Sequence, residues 1–271
     1  QTENLTFSTN VSEKILKKIE IKSNFKFDLK QEIIQGIIGG PDKAFILREE
    51  ELEHFNKDEK KFIKMIHTNS GRFLTPDTDK YILYLRKENI EYIDHYPNIK
   101  NKLIKFKHRL LDRREVKNNK IKWFHLWWPR NELFFISGPK LVWAKRTEGK
   151  RFTYTEKPIY GTANMFFIKS ERVSLKYLTA LLNSELFYFY MDERLKHTGD
   201  LLQIDKNQFS KIPLYVPDKI QGFEKLVDDI IVAKKNNEDI RMLENQLDQL
   251  VYKLYDLDED EIKIIEDSIS I

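Results

Sequence analysis

Lys140-Leu141-Val142-Trp143-Ala144-Lys145-Arg146, entered through the turn signal Ser137-Gly138-Pro139, reads as an apolar strand with a cation at each end. Upstream of it, Trp123 to Arg130 and Leu133 to Arg146 read as two extended segments broken at Pro129 and at Ser137-Gly138-Pro139. Downstream, Phe152 to Ile168 supplies two further extended pieces around Gly161, and Leu175 to Tyr190 reads as one helix with Leu178, Leu181, Leu182, Leu186 and Phe189 on its inner face. Strands and helices therefore alternate irregularly, and an α+β fold is expected: a mixed sheet with packed helices.

The charge around this strand is concentrated. From Tyr96 to Arg151 there are sixteen Lys and Arg against four acids, a formal excess of +12, whereas the whole chain carries only +4. All four tryptophans, Trp123, Trp127, Trp128 and Trp143, fall in the same stretch. Cations neutralise phosphates and release counterions, and flat rings or guanidinium planes can meet bases, so the stretch reads as a DNA-facing surface. Pro97 suits a helix first turn. Ile99, Leu103, Phe106 and Leu110 then continue at helical spacing to Arg113-Arg114, with Lys100, Lys107 and Arg114 on the opposite, cationic face. Arg suits bidentate base contacts and Lys suits phosphates. The residues expected at DNA are Lys107, Arg109, Arg113, Arg114, Lys122, Trp128, Arg130, Lys140, Lys145, Arg146, Lys150 and Arg151. Trp127 and Trp128, as neighbours on a strand, should point to opposite faces. Each cation taken singly also reads as a solvated surface residue.

Pro217 to Ile271 balances that charge, with seven bases against fifteen acids. Ile220, Phe223, Val227 and Ile230, then Leu243, Leu247, Leu250 and Leu254, recur three and four residues apart around a polar break at Lys234-Lys235-Asn236-Asn237, which predicts an amphipathic helical tail. A last short helix follows Asp258-Glu259-Asp260-Glu261. At the other end, Val11, Ile15, Leu16 and Ile19 share one helical face. Ile33 to Leu47 holds two apolar runs around Gly39-Gly40-Pro41-Asp42, expected as a strand-turn-strand or β-hairpin in which Gly39 and Gly40 supply positive φ. No Gly-Lys-Ser/Thr follows, which excludes a phosphate loop. His197-Thr198-Gly199-Asp200 reads as a loop, Asn183-Ser184 as a helix-surface pair, and Ile212 to Pro217 as a short edge strand closed by prolines at both ends.

With no cysteine there is no disulfide, thiolate metal site or cysteine nucleophile. The six histidines are scattered without metal-ligand spacing. No signal peptide or membrane span is read, and a cytoplasmic protein is expected.

Several of these segments together resemble the C-terminal specificity domain of TaqI-type adenine methyltransferases, the target-recognition part of type IIG restriction-modification proteins and of the related phage-defence methyltransferases. They are Gly36-Ile37-Ile38-Gly39-Gly40-Pro41-Asp42-Lys43-Ala44-Phe45; Tyr96-Pro97 with the basic helix; Trp127-Trp128-Pro129-Arg130; Leu181-Leu182-Asn183-Ser184 before Gly199-Asp200; Lys211-Ile212-Pro213-Leu214; and the tail Leu247 to Ile262. Gly39 stands where the family often has Thr. The resemblance implies a double-stranded DNA target-recognition domain over 26–217, preceded by a linker helix (1–25) from an upstream methyltransferase domain and followed by the helical tail (218–271). Such enzymes hold a flipped adenine with an Asn/Asp-Pro-Pro-Tyr/Phe loop and S-adenosylmethionine with a glycine-rich loop. Neither motif is present, nor is a nuclease Pro-Asp…Asp/Glu-x-Lys set. The chain is therefore expected to recognise DNA without catalysis, with S-adenosylmethionine bound by the upstream domain. The alternative reading is a protein-interaction or scaffold domain acting through the acidic helical tail.

Overall fold

In the computed structural model, which describes residues 2–269 and side chains from Val11 onward, the strand that opened the sequence reading is buried along its whole length. Helix α1 (Thr2–Lys22) leads to β1 (Ile33–Gln35), the helical turn α2 (Asp42–Phe45), β2 (Ile46–Arg48), α3 (Lys57–Lys60), β3 (Ile63–His67) and β4 (Lys80–Leu83). Then come α4 (Pro97–Ile104), α5 (Lys107–Leu111), α6 (Arg114–Lys117) and α7 (Leu133–Ile136). They are followed by β5 (Lys140–Ala144), β6 (Arg146–Thr147), β7 (Phe152–Thr155), β8 (Tyr160–Gly161) and β9 (Met165–Ile168). Helices α8 (Leu175–Leu182) and α9 (Glu185–Arg194), strands β10 (Lys196–Thr198) and β11 (Leu201–Gln203), and the turn α10 (Lys206–Phe209) precede the tail, α11 (Gln221–Lys235), α12 (Arg241–Leu254) and α13 (Glu259–Ile269). The fold is α+β.

The antiparallel sheet β1-β9-β5-β7 is a wall between two apolar cores. Side chains alternate along a strand, so Leu141, Trp143, Phe166 and Ile168 enter one core while Val142, Ala144, Met165 and Phe167 enter the other. Trp143 lies stacked between Phe166 and Phe209, at 5.4 and 4.5 Å, and donates its indole N–H to the Ile204 carbonyl at 2.8 Å. The first core is closed by α1, α8, α9 and the tail. The second is closed by the sheet β2-β4-β3-β8, whose last pair is parallel, and by α2, α4 and α5. A small antiparallel sheet, β10-β11-β6, stands at the edge.

The structure corrects several local expectations. The segments flanking Gly39-Gly40 are not a hairpin, because β1 pairs with β9 and β2 with β4, in different sheets. The turn itself is present. Gly40 has φ +101, while Gly39 is not among the positive-φ residues. At Gly36 the chain passes so close to β8 that an added Cβ would lie 2.2 Å from the Thr162 carbonyl oxygen. The basic segment 97–117 forms three short helices rather than one. The chain leaves helical geometry at Phe106 (ψ 3) and again at Arg113 (φ −66, ψ 135). Residues 123–130 form no strand, their β pairing being the isolated bridge Ile38–Trp128, and Leu133–Ile136 is a helical turn. Trp127 and Trp128 are therefore not on opposite faces, and their rings lie 5.4 Å apart at 36°. The edge strand at 212–217 reduces to one bridge, Phe25–Leu214.

Asn183 and Ser184 are fully buried rather than on a helix surface. Asn183 pairs through its side chain with both the N–H and the carbonyl of Phe152, and Ser184 caps α9. The break between α8 and α9 thus ties the helices to β7. The tail packs inward. Helix α11 lies on α8 and α12, α13 lies on α9 and α1, and Leu243, Leu247, Leu250 and Leu254 all join the first core. The leucine stripe is spent within the chain, which removes the surface that the scaffold reading required. Among the described residues no helix is long and apolar enough to cross a membrane.

The tail is also held by a buried ionic cluster. Asp248 accepts the Glu185 backbone N–H at 2.7 Å, Lys150 pairs with Glu185, and Arg72 pairs with Glu244 at 2.9 Å. Burial pushes the Asp248 carboxyl up to about 7, with the neighbouring Glu185 adding to the effect and Lys150 and Arg72 opposing it. Its unfolded value lies near 4. A raised folded value means that the contribution of Asp248 to stability is complete below about pH 4 and is lost as pH rises through about 7. Relative to Asp248→Asn, the wild-type protein should lose about 1.4 kcal/mol per pH unit across that window and then level off. Urea unfolding of both proteins at pH 5, 6, 7 and 8 checks this. Parallel curves would refute it.

Candidate nucleic-acid interface

The basic stretch does not form one continuous face. Arg113 is buried and donates to four backbone carbonyls, of Leu110 (3.0 Å), Gly39 (3.2 Å), His125 (2.9 Å) and Trp123 (2.6 Å). Lys140 is buried with its ammonium on the Gly138 carbonyl at 2.7 Å, and burial pushes it down to about 8. Lys150 is largely buried and paired with Glu185. These three were expected at DNA, and the structure places them in the frame, Arg113 and Lys140 buried and Lys150 mostly buried against Glu185. Arg151 pairs with Glu148 at 3.2 Å. Lys107 and Arg109 on α5, Arg114 on α6 and Lys122 are exposed. Of these, Lys107 lies over the Trp123 ring, Arg114 contacts Glu115, and Lys122 donates to the Glu91 carbonyl at 2.6 Å. Lys122 borders a hollow whose three lysines, Lys87, Lys120 and Lys122, are offset by Glu88, Glu91 and Asp94, so it carries no net positive charge.

Lys145 and Arg146 behave differently. They line an open groove of about 760 Å³ with Lys43, Arg48, Lys80 and Lys102, and with the polar residues Gln35, Thr162 and Asn164. Lys102 is engaged by Glu51. Among the described residues, Lys43, Lys80, Lys145 and Arg146 have no ion-pair partner, and Arg48 meets only Glu50 at 4.0 Å, with both side chains well exposed. Arg48 and Lys80 are direct cross-strand partners in the β2–β4 register. Like charges directly opposite each other repel, so this pair adds to the positive potential at the groove's edge. Arg146 is in register with Gln203 of β11, which places the β10–β11 hairpin beside the groove. The hairpin, expected as a plain loop, turns at Gly199 (φ +61) and presents Lys196, His197 and Thr198 at the surface, with the His197 ring on Asp192 at 3.0 Å and the Thr198 hydroxyl donating to Gln203 at 2.8 Å.

A second groove, about 470 Å³, continues the first through the shared residues Gln35 and Lys145, and adds Lys30, Arg130 and Lys206. Arg130 is half-buried, lies over the exposed Trp128 indole at 5.5 Å and donates to the Gly36 carbonyl at 3.2 Å. Of the expected residues, the structure therefore brings together Lys145, Arg146, Arg130 and Trp128. The sequence reading did not assign Lys43, Arg48, Lys80 and Lys206 to the interface, since they come from three separate stretches of the chain. Pairing of β2 with β4 brings Arg48 and Lys80 together, and no local pattern reveals it.

Residues 84–214 match the family model of the TaqI-like C-terminal specificity domain. Over 229 residues the chain is 31% identical to the type II methyltransferase M.MjaIV of Methanocaldococcus jannaschii, spanning 80% of this chain and 76% of that protein. The chain belongs to the TaqI-like specificity domains of restriction-modification methyltransferases. This specificity domain shares its fold with the Type IIL restriction-modification enzyme MmeI, solved in complex with DNA, at a TM-score of 0.67 and 15% identity. The match covers 90% of the specificity domain and 34% of MmeI, so the domain spans about a third of that enzyme.

Proposed function

We propose that this specificity domain reads double-stranded DNA for an adenine-N6 methyltransferase, with the Lys43/Arg48/Lys80 groove receiving the backbone and Arg146 with the β10–β11 hairpin reaching base edges. The observation that carries the reading is the gathering of cations without ion-pair partners among the described residues, from β2, β4, α2 and the β5–β6 junction, along one groove, while Arg113 and Lys140 of the basic stretch are buried and Lys102, Lys150 and Arg151 are paired with carboxylates. Backbone contacts supply affinity and base contacts supply selectivity. Catalysis and S-adenosylmethionine belong to a methyltransferase domain of the same parent, and the chain alone turns over no methyl groups when given cofactor and DNA.

Selection from a random pool of duplex oligonucleotides, at low and physiological salt, tests the proposal. One short motif should be enriched, and log affinity should fall with log salt at about 0.9 per phosphate contacted. No retention at low salt would overturn the reading.

A further inference from the structure

Arg130 sits in the left-handed region (φ +64), a conformation that costs a non-glycine residue free energy and persists only where its surroundings impose it. Here they do. Trp128 exchanges two backbone hydrogen bonds with Ile38, at 2.8 and 3.0 Å, and the Pro129 carbonyl accepts the Tyr84 hydroxyl at 2.9 Å. The result is a guanidinium laid over the Trp128 indole at the wall of the second groove. Across that groove stands Lys206, half-buried and donating to the Ile33 carbonyl at 2.7 Å. Neither cation has an ion-pair partner among the described residues. The one carboxylate lining the groove, Asp205, is engaged as the cap of α10 by the backbone N–H groups of Asn207 and Gln208. Burial lowers the pKa of both cations, and Arg130 lowers that of Lys206 further, with Asp28 opposing in part. Two partly desolvated like charges line one cavity, Arg130 fixed there by its imposed backbone and Lys206 only partly balanced by Asp28, and an anion between them would relieve their repulsion.

We propose that Arg130 and Lys206 form a clamp for one phosphodiester of the bound duplex, setting the register of the DNA without reading its sequence. The clamp rests on the DNA-reading role proposed above. Lys145, shared by both grooves, joins the clamped phosphate to the duplex in the first groove.

The test is the double variant Arg130→Gly/Lys206→Met. Glycine accepts the left-handed backbone, and methionine keeps the apolar stem. With thermal unfolding confirming the fold, affinity for the selected duplex and for a scrambled one should fall together, each about tenfold, with the salt slope reduced by about one. In a duplex carrying neutral methylphosphonates one position at a time, one position should weaken the wild type and leave the variant unaffected. A collapse of the target-to-scrambled ratio, or unchanged affinity in a folded variant, overturns the clamp. Titration of the wild type with inorganic phosphate, followed at the Arg130 Nε–H resonance, separates the two proposals. A saturable shift without duplex binding supports an anion site while removing the DNA-reading role. No shift together with no duplex binding overturns the clamp as well.

Discussion

Arg113→Ala is expected to lower the free energy of unfolding by about 3 kcal/mol or more, and to affect DNA binding only through that loss. Each hydrogen bond from a charged donor contributes about 1.5–3 kcal/mol, and a buried acceptor left without its donor keeps its desolvation cost. The Arg113 guanidinium serves the carbonyls of Leu110, Gly39, His125 and Trp123, drawing together α5, the Gly39-Gly40 turn and the Trp123–Arg130 segment. Its stem passes 3.2 Å from where a Cβ would stand on Gly40, so the turn and the arginine are one arrangement. Arg113→Lys should recover little of the loss, since one ammonium cannot span carbonyls that a planar fork reaches. Urea unfolding followed by tryptophan fluorescence gives the measurement. An Arg113→Ala protein of wild-type stability with weakened DNA binding would make Arg113 a DNA contact after all.

The second large effect concerns affinity. Lys43→Gln, Lys80→Gln, Lys145→Gln and Arg146→Gln combined should weaken duplex binding roughly 10²–10³-fold at physiological salt and flatten the salt dependence by about three. The matched control replaces Lys107, Arg109, Arg114 and Lys122 by Gln. Both sets remove four positive charges from a chain of net charge +4, so any general attraction falls equally. The control should stay within about threefold of wild type, because its residues border the acid-containing hollow or the α5–α6 surface outside the groove. Equal losses in the two sets would mean that charge in bulk, not the groove, holds the duplex.

What the sequence determined by itself was whatever depends on neighbours along the chain. The apolar strand at Lys140–Ala144, the amphipathic tail, the Gly-Gly turn and the family motifs were legible because hydrophobic period, turn chemistry and residue order are local quantities. The concentration of charge in residues 96–151 was legible too, and it led to Lys145, Arg146 and Arg130. Where each cation would point was not legible. Arg113 and Lys140 lie in the same basic run as Lys145, yet packing buries them on backbone carbonyls. Lys43, Arg48, Lys80 and Lys206 come from separate segments and meet only because β2 pairs with β4 and the central sheet carries β1 beside β9. The breaks at Arg113 and Asn183-Ser184 likewise override helical periodicity, since buried polar groups there bind other segments. The tertiary structure decided which cations are free, because burial and partnering are set by residues distant in the chain, and a free cation is what a phosphate can use.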